Sequence, residues 1–154
     1  MSKRLVGRTA VITGGTTGIG QAIAVKLASE GADIAVADLD DASDTRKLVE
    51  AEGARFLGDR VDISKEDDVN SFARTVRETF GGVDIVVNNA AVVLMGDFEQ
   101  VTFAEWRQTF AVNVDGAFLT TKAFLPDLMR SEAGRIINIS SSSYWTPPPP
   151  FVSY

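Results

Sequence analysis

The 154-residue sequence predicts an α/β fold, a doubly wound parallel sheet with strand order 3-2-1-4-5. Three observations carry that prediction. Short apolar runs alternate with helical periodicities along the whole chain. Those runs are continuous in Val, Ile and Ala, as suits parallel strands covered on both faces. A glycine-rich turn follows the first run directly and opens the first helix.

The elements follow in order. Strand one is Thr9–Thr13, and the next helix carries Ile19, Ile23 and Leu27 at i, i+4 and i+8, read as its buried stripe. Strand two is Asp33–Asp38 and strand three spans 54–61. The helix after it places Val69, Phe72, Ala73, Val76 and Phe80 on one face, with Ser64 and Asp67 as its cap. Strand four spans 83–87. A long helical stretch over about 103–130 opens on the capping pair Thr102 and Glu105. It holds Gly116 and Pro126, and a bend or break is expected near Pro126. Strand five spans 135–140 and is left as an apolar edge.

Composition narrows the chemistry. The chain is 45% hydrophobic and 23% charged, the balance of a globular protein with one core. Its net charge of −6 argues against nucleic-acid binding, which needs a basic stripe. No run approaches the roughly 18 apolar residues of a membrane span, and the start reads as no signal peptide, so a cytoplasmic protein is expected. There are no cysteines and no histidines. Disulfides, Ser-His-Asp triads and zinc sites built from His and Cys are thereby excluded, and no metal is expected. Acid–base work falls to Tyr, Lys, Asp or Glu.

The strongest motif is Thr13-Gly-Gly-Thr-Thr-Gly-Ile-Gly20. Gly14, Gly18 and Gly20 let the backbone turn tightly and approach a pyrophosphate, which then faces the favourable dipole end of the following helix. Asp38, at the end of strand two, can accept hydrogen bonds from the adenosine ribose hydroxyls and would repel a 2′-phosphate. No basic residue stands at Thr16, Thr17 or Leu39 to offset it. The expected cofactor is therefore NAD rather than NADP. Capping of the next helix suits Asp40 or Asp41 better than Asp38.

Taken with Val61-Asp62-Ile63, Asn88-Asn-Ala-Ala91, Asn113 and Gly134-Arg-Ile-Ile-Asn-Ile-Ser-Ser141, these motifs resemble the short-chain dehydrogenase/reductase family, in family order from end to end. Ala91 departs from the glycine usual there. The resemblance implies a Rossmann-type domain in which Gly14, Thr17, Gly18, Ile19, Gly20, Asp38 and Leu39 hold the cofactor. It implies that Asp62 bonds the adenine amino group and that Asn88 to Ala90 run beside the cofactor ribose. Ile63 would pack on the adenine ring or simply join the core. Asn113 would offer its backbone carbonyl to a water in a proton relay, or be an exposed helix position.

The family's Ser and Tyr are 13 positions apart, as are Ser141 and Tyr154. By the resemblance Ser141 would hydrogen-bond the substrate oxygen and Tyr154 would move the proton. Lowering a tyrosine pKa from about 10 to near 7 takes roughly 4 kcal/mol, which the family supplies with a Lys four residues beyond the Tyr. That position lies past Tyr154, so the 154 residues are expected to be the N-terminal part of a longer chain. The family is commonly tetrameric, with the 103–130 helix in an interface that Gly116, Phe118 and Phe124 would suit.

Two loops would face the nicotinamide, 92–98 and 142–152. Leu94, Met95, Tyr144, Trp145 and Phe151 offer apolar and aromatic walls with no cation to clamp an acid; alternatively these aromatics pack beneath the loop or at a subunit contact. The pattern resembles the branch that includes phenylethanol dehydrogenase, which implies a hydrophobic, aryl-type secondary alcohol or ketone as substrate. The competing readings are a 3-oxoacyl reductase-like enzyme and a non-catalytic NAD-binding module.

Overall fold

In the computed structural model, which describes residues 3–94 and 96–142, five parallel strands form one sheet in the order β3-β2-β1-β4-β5. They are β1 (Thr9–Thr13), β2 (Asp33–Asp38), β3 (Phe56–Arg60), β4 (Ile85–Asn88) and β5 (Arg135–Asn138). The helices are α1 (Gly18–Ser29), α2 (Ser43–Ala51), α3 (Glu66–Phe80), α4 (Phe103–Phe110) and α5 (Gly116–Arg130), with a π-helical turn, Ala111–Asp115, between the last two. Every residue of β1 and β4 is buried, as their unbroken apolar runs require. β5 is exposed along its length at the sheet edge.

One core layer lies between the sheet and α3 and α5, centred on Phe72 and Phe124, whose rings meet edge to face at 6.1 Å. The other lies beneath α1 and α2. There the expected stripe is displaced by one residue. The face of α1 that meets the sheet is Gly20, Ala24 and Ala28, while Ile19 is 65% exposed and Ile23 and Leu27 flank the contact. Small residues at the seam let the helix axis approach the strands closely.

Three capping and bending expectations resolve differently. The Thr102–Glu105 box forms in full. Ser64 does not cap α3, because its hydroxyl donates to Asp62 Oδ1 at 2.6 Å and Lys65 takes the cap position. The chain does not break at Pro126: α5 runs through it to Arg130, and the irregular turn precedes Gly116 instead. The helix is held around the proline by Asp127, whose side chain is 1% exposed and pairs with Arg77 and Arg130, each at 2.7 Å. Arg77 also donates to the Ala123 carbonyl. Gly116 and Phe124 face the core; of the three residues suited to an interface, only Phe118 faces outward.

Asp84 ties the lower ends of β1, β4 and α5 together. It accepts from Arg8 at 2.9 Å, the Thr9 N–H at 2.9 Å and the Ser131 hydroxyl at 2.6 Å. Burial acts to raise its pKa, yet the bonds from Ser131, Thr9 and Arg8 outweigh it and hold the carboxyl below its ordinary value. A carboxylate with a depressed folded pKa adds stability above its unfolded pKa, and that stability is lost as pH falls through the folded value. Asp84→Ala is therefore expected to cost about 2 kcal/mol at neutral pH, and less once acid has protonated the wild-type carboxyl. Urea unfolding of both proteins along a pH series checks this.

Candidate functional site

The carboxyl ends of the strands open onto a cleft of about 510 Å³ between the β1–α1 turn, the end of β2 and the segment after β4. The turn is held open by two close approaches. Gly14 has φ +67°, and a Cβ there would lie 2.8 Å from Ala90 Cα. A Cβ on Gly20 would lie 2.0 Å from the Gly14 carbonyl oxygen and 2.6 Å from Asn89 Nδ2. Thr17, the N-cap of α1, is extended and makes no side-chain cap bond, and the first turn carries no acidic residue. Its N–H groups and the helix dipole thus remain available to an anion in the cleft.

Asp38 stands at one end of the cleft. Its Oδ2 accepts from the Thr16 N–H at 3.0 Å and the Thr16 hydroxyl at 2.7 Å, and its Oδ1 from the Leu39 N–H at 2.7 Å and the Asp40 N–H at 3.3 Å. Neither Asp40 nor Asp41 caps α2, whose N-cap is Ala42 with no side-chain cap bond. Thr17, Gly18, Ile19 and Leu39 line the same cleft. Arg60 pairs in register with Asp38 across β2 and β3, a cation invisible in a scan of the residues that follow Asp38. It borders a separate recess with Asp40 to Ala42 and Gly58.

Asp62 and Ile63 form the facing wall. Bonds from Ser64, and then the Lys65 ammonium, hold the Asp62 carboxyl below its ordinary pKa against the opposing effect of burial. Ile63 is 7% exposed and belongs to the core as well as the cleft. Its Cδ1 would lie 2.6 Å from a Cβ on Gly116, so the glycine lets α5 close on this wall.

The Asn88-Asn89 pair divides its work. Asn88 turns toward β5 and α5, donating to Asn138 Oδ1 at 2.8 Å and Thr121 Oγ1 at 3.0 Å. Asn89 turns toward the glycine turn, donating to the carbonyls of Thr13 at 3.0 Å and Gly14 at 2.9 Å. The N–H groups of Asn89 and Ala90 both donate to Thr13 Oγ1 at 3.1 Å.

Ala90 and Ala91 line this cleft and also a second cavity of about 590 Å³. That cavity contains Asn88, Asn113 and Ser141, with Phe118 and Ile139 on its apolar side. Asn113 lies in the π-helical turn, where it is neither an exposed nor an ordinary helical residue. Its Oδ1 accepts from the Val92 N–H at 2.8 Å and its Nδ2 donates to the Val92 carbonyl at 3.0 Å. This two-point bond fixes the start of the loop after β4. A π turn shifts backbone bonds from i→i−4 to i→i−5, as at Gly116 N–H to Ala111 O, and so disturbs the carbonyl ladder at this point. Leu94 is described and half-buried. Met95, Tyr144, Trp145, Phe151 and Tyr154 lie outside the described residues.

Several residues build the site through partners that the sequence does not display. Thr13, Gln21, Thr45 and Asn89 bond to backbone that is distant in sequence or hidden inside a turn, Thr16 bonds the Asp38 carboxylate 22 residues away, and Gly116 matters through its contact with Ile63. The asparagine pair marked the place, but only the fold separates the duties of its two members.

The lining fits a dinucleotide: a glycine cradle that Cβ atoms would fill, an uncapped helix N-terminus, a carboxylate at one end and an apolar wall. Residues 8–154 match the family model described as short chain dehydrogenase. The chain is 37% identical over 143 residues to 2,5-dichloro-2,5-cyclohexadiene-1,4-diol dehydrogenase from Sphingobium indicum, covering 92% of this chain and 57% of that one. It is 37% identical to D-beta-hydroxybutyrate dehydrogenase from Cupriavidus necator, covering 90% and 54%. The structure of a short chain dehydrogenase from Mycobacterium paratuberculosis bound to NAD superposes with a TM-score of 0.92 at 32% identity, covering 98% of this chain and 62% of that one. The chain thus spans somewhat more than half the length of these relatives.

Proposed function

The chain belongs to the short-chain dehydrogenase family, and on that premise we propose that the protein is an NAD-dependent oxidoreductase acting on hydrophobic, aryl-type secondary alcohols or their ketones. The observation that carries the cofactor reading is Asp38, a carboxylate aimed by four donors at the end of a glycine-lined cleft. Bound NAD would supply the hydride acceptor, and NADH the donor. A 3-oxoacyl reductase-like choice of NADP would call for a base at Thr17 or Leu39, and neither is one.

The chain's own residues divide the remaining work. Gly14, Gly18 and Gly20 admit the pyrophosphate to the first turn of α1, while Asp62 and Ile63 receive the adenine. The Asn88–Ala90 segment borders the nicotinamide half, where Ala90 and Ala91 separate the cofactor cleft from the cavity holding Ser141. Ser141 donates to the substrate oxygen, Tyr154 exchanges the proton, and the Asn113 turn presents a backbone carbonyl to the relay. Leu94, Met95, Tyr144, Trp145 and Phe151 wall the substrate.

Asp38→Ser tests the cofactor assignment. Loss of a charged acceptor for the ribose and of repulsion toward a 2′-phosphate is expected to lower the NAD-over-NADP affinity ratio about 10- to 100-fold. Titration calorimetry with each cofactor reads this, and an unchanged ratio refutes the role of Asp38.

A homo-oligomer, tetrameric by resemblance, is part of the same reading. Phe103, Trp106, Phe110, Val114, Phe118 and Met129 expose an apolar stripe along α4 and α5. Sedimentation of the full chain is expected to give a multimer that Phe118→Glu weakens; a monomer at all concentrations contradicts it.

A further inference from the structure

We propose that Gln21 and Thr45, neither of which lines the cofactor cleft, are positioning residues that set cofactor choice by holding Thr16 against Asp38. The inference rests on the NAD reading above and assigns that preference to a brace outside the site.

Thr16 is 6% exposed and its polar atoms are committed on two sides. On the cleft side its N–H and hydroxyl both donate to Asp38 Oδ2. On the other side its carbonyl accepts from Gln21 Nε2 at 2.9 Å and lies 3.1 Å from Thr45 Oγ1. The Thr45 hydroxyl is shared with the Gly15 carbonyl at 3.0 Å and itself accepts from Gln21 Nε2 at 2.9 Å. Thr45 is 1% exposed and Thr16 6%, so these bonds lie away from bulk solvent and losing the hydroxyl is costly to the carbonyls it serves. A neutral hydroxyl on α2 and an amide on α1 thereby fix the orientation of the peptide units on both sides of Thr16.

That orientation decides what a 2′-phosphate would meet. A phosphate needs donors, and the two that Thr16 can offer at this end of the cleft are its N–H and its hydroxyl. While the brace holds, Asp38 consumes both, and the Thr16–Asp38 pair offers the phosphate only a carboxylate. With the brace released, the Gly15–Thr16 segment can turn, the donors leave Asp38, and the carboxylate loses the bonds that aim it at the ribose. Both changes disfavour NAD relative to NADP.

The test measures NAD and NADP affinities of the full-length protein by titration calorimetry. Thr45→Val keeps the size and removes the hydroxyl; Thr45→Ser keeps the hydroxyl; Gln21→Met removes the amide. Thr45→Val and Gln21→Met are expected to lower the NAD-over-NADP ratio about five- to tenfold, with Thr45→Ser within about twofold of wild type. A purely structural role would lower the melting temperature of these variants and leave the ratio unchanged. Should Thr45→Val fail to fold, Gln21→Met decides. A wild-type preference for NAD that survives both variants overturns this inference alone. Equal affinities in the wild type overturn the NAD reading and this inference together.

Discussion

Replacing Gly20 with alanine is expected to abolish measurable NAD binding. The added Cβ would sit 2.0 Å from the Gly14 carbonyl oxygen, 2.9 Å from its carbon and 2.6 Å from Asn89 Nδ2. These are backbone atoms and a side chain already bonded to that backbone, so no flexible end can move aside. Relief requires α1 to back away from the turn, breaking the Asn89 bonds to Thr13 and Gly14 and withdrawing the helix N-terminus from the anion seat. Overpacking together with the lost buried bonds should cost about 2–5 kcal/mol in stability, and NAD affinity should fall at least about 100-fold. Gly18→Ala makes the informative contrast. Its φ is +56°, but the added methyl meets nothing within 4 Å. In the fold without cofactor only the left-handed backbone is penalised, by about 1 kcal/mol, so a larger fall in NAD affinity than in stability reports the approach of the pyrophosphate. Urea unfolding with calorimetry separates the two; Gly20→Ala binding NAD as the wild type does would contradict the geometry.

Ser141→Ala is expected to lower kcat about 100- to 1000-fold, the usual effect of removing one donor aimed at a reacting oxygen. NAD affinity should be unaltered, because Ser141 lines the cavity beyond Ala90 and Ala91 and not the cofactor cleft. Ser140 lines that same cavity but is out of step with the 13-residue spacing to Tyr154. Ser140→Ala should therefore lose far less. Steady-state kinetics beside cofactor titration distinguishes the roles: equal losses in the two variants, or a Ser141→Ala loss confined to KM for NAD, would contradict the assignment.

The sheet was legible because its signal is local. Continuous apolar runs identify the buried strands β1, β2 and β4, whereas β3 is only half-buried and β5 exposed, and a glycine turn between a strand and a helix fixes where the cleft opens. α3 was equally legible, since its large apolar residues meet the core directly. α1 was misread by one position because the contact is made by Gly20, Ala24 and Ala28, which carry little hydropathy, while the conspicuous Ile19 faces outward. The break expected at Pro126 does not form, because α5 runs through the proline to Arg130. Arg77 and Asp127 secure the chain there, and the irregular turn falls at Asn113, where the side chain is committed to Val92. Ser64 likewise reads as a cap until Asp62 claims its hydroxyl. Asn89 and Thr45 act on backbone 75 and 30 residues away, a kind of partnership no window along the chain displays.

The proposed activity is NAD-dependent hydride transfer on hydrophobic secondary alcohols. The most direct measurement is NADH formation by the full-length protein given NAD and a series of neutral secondary alcohols, 1-phenylethanol among them, with NADP run in parallel. Turnover is expected with aryl alcohols, faster with NAD than with NADP, and lost in Ser141→Ala. NAD binding with no turnover on any alcohol or ketone would contradict it and leave a cofactor-binding module in its place.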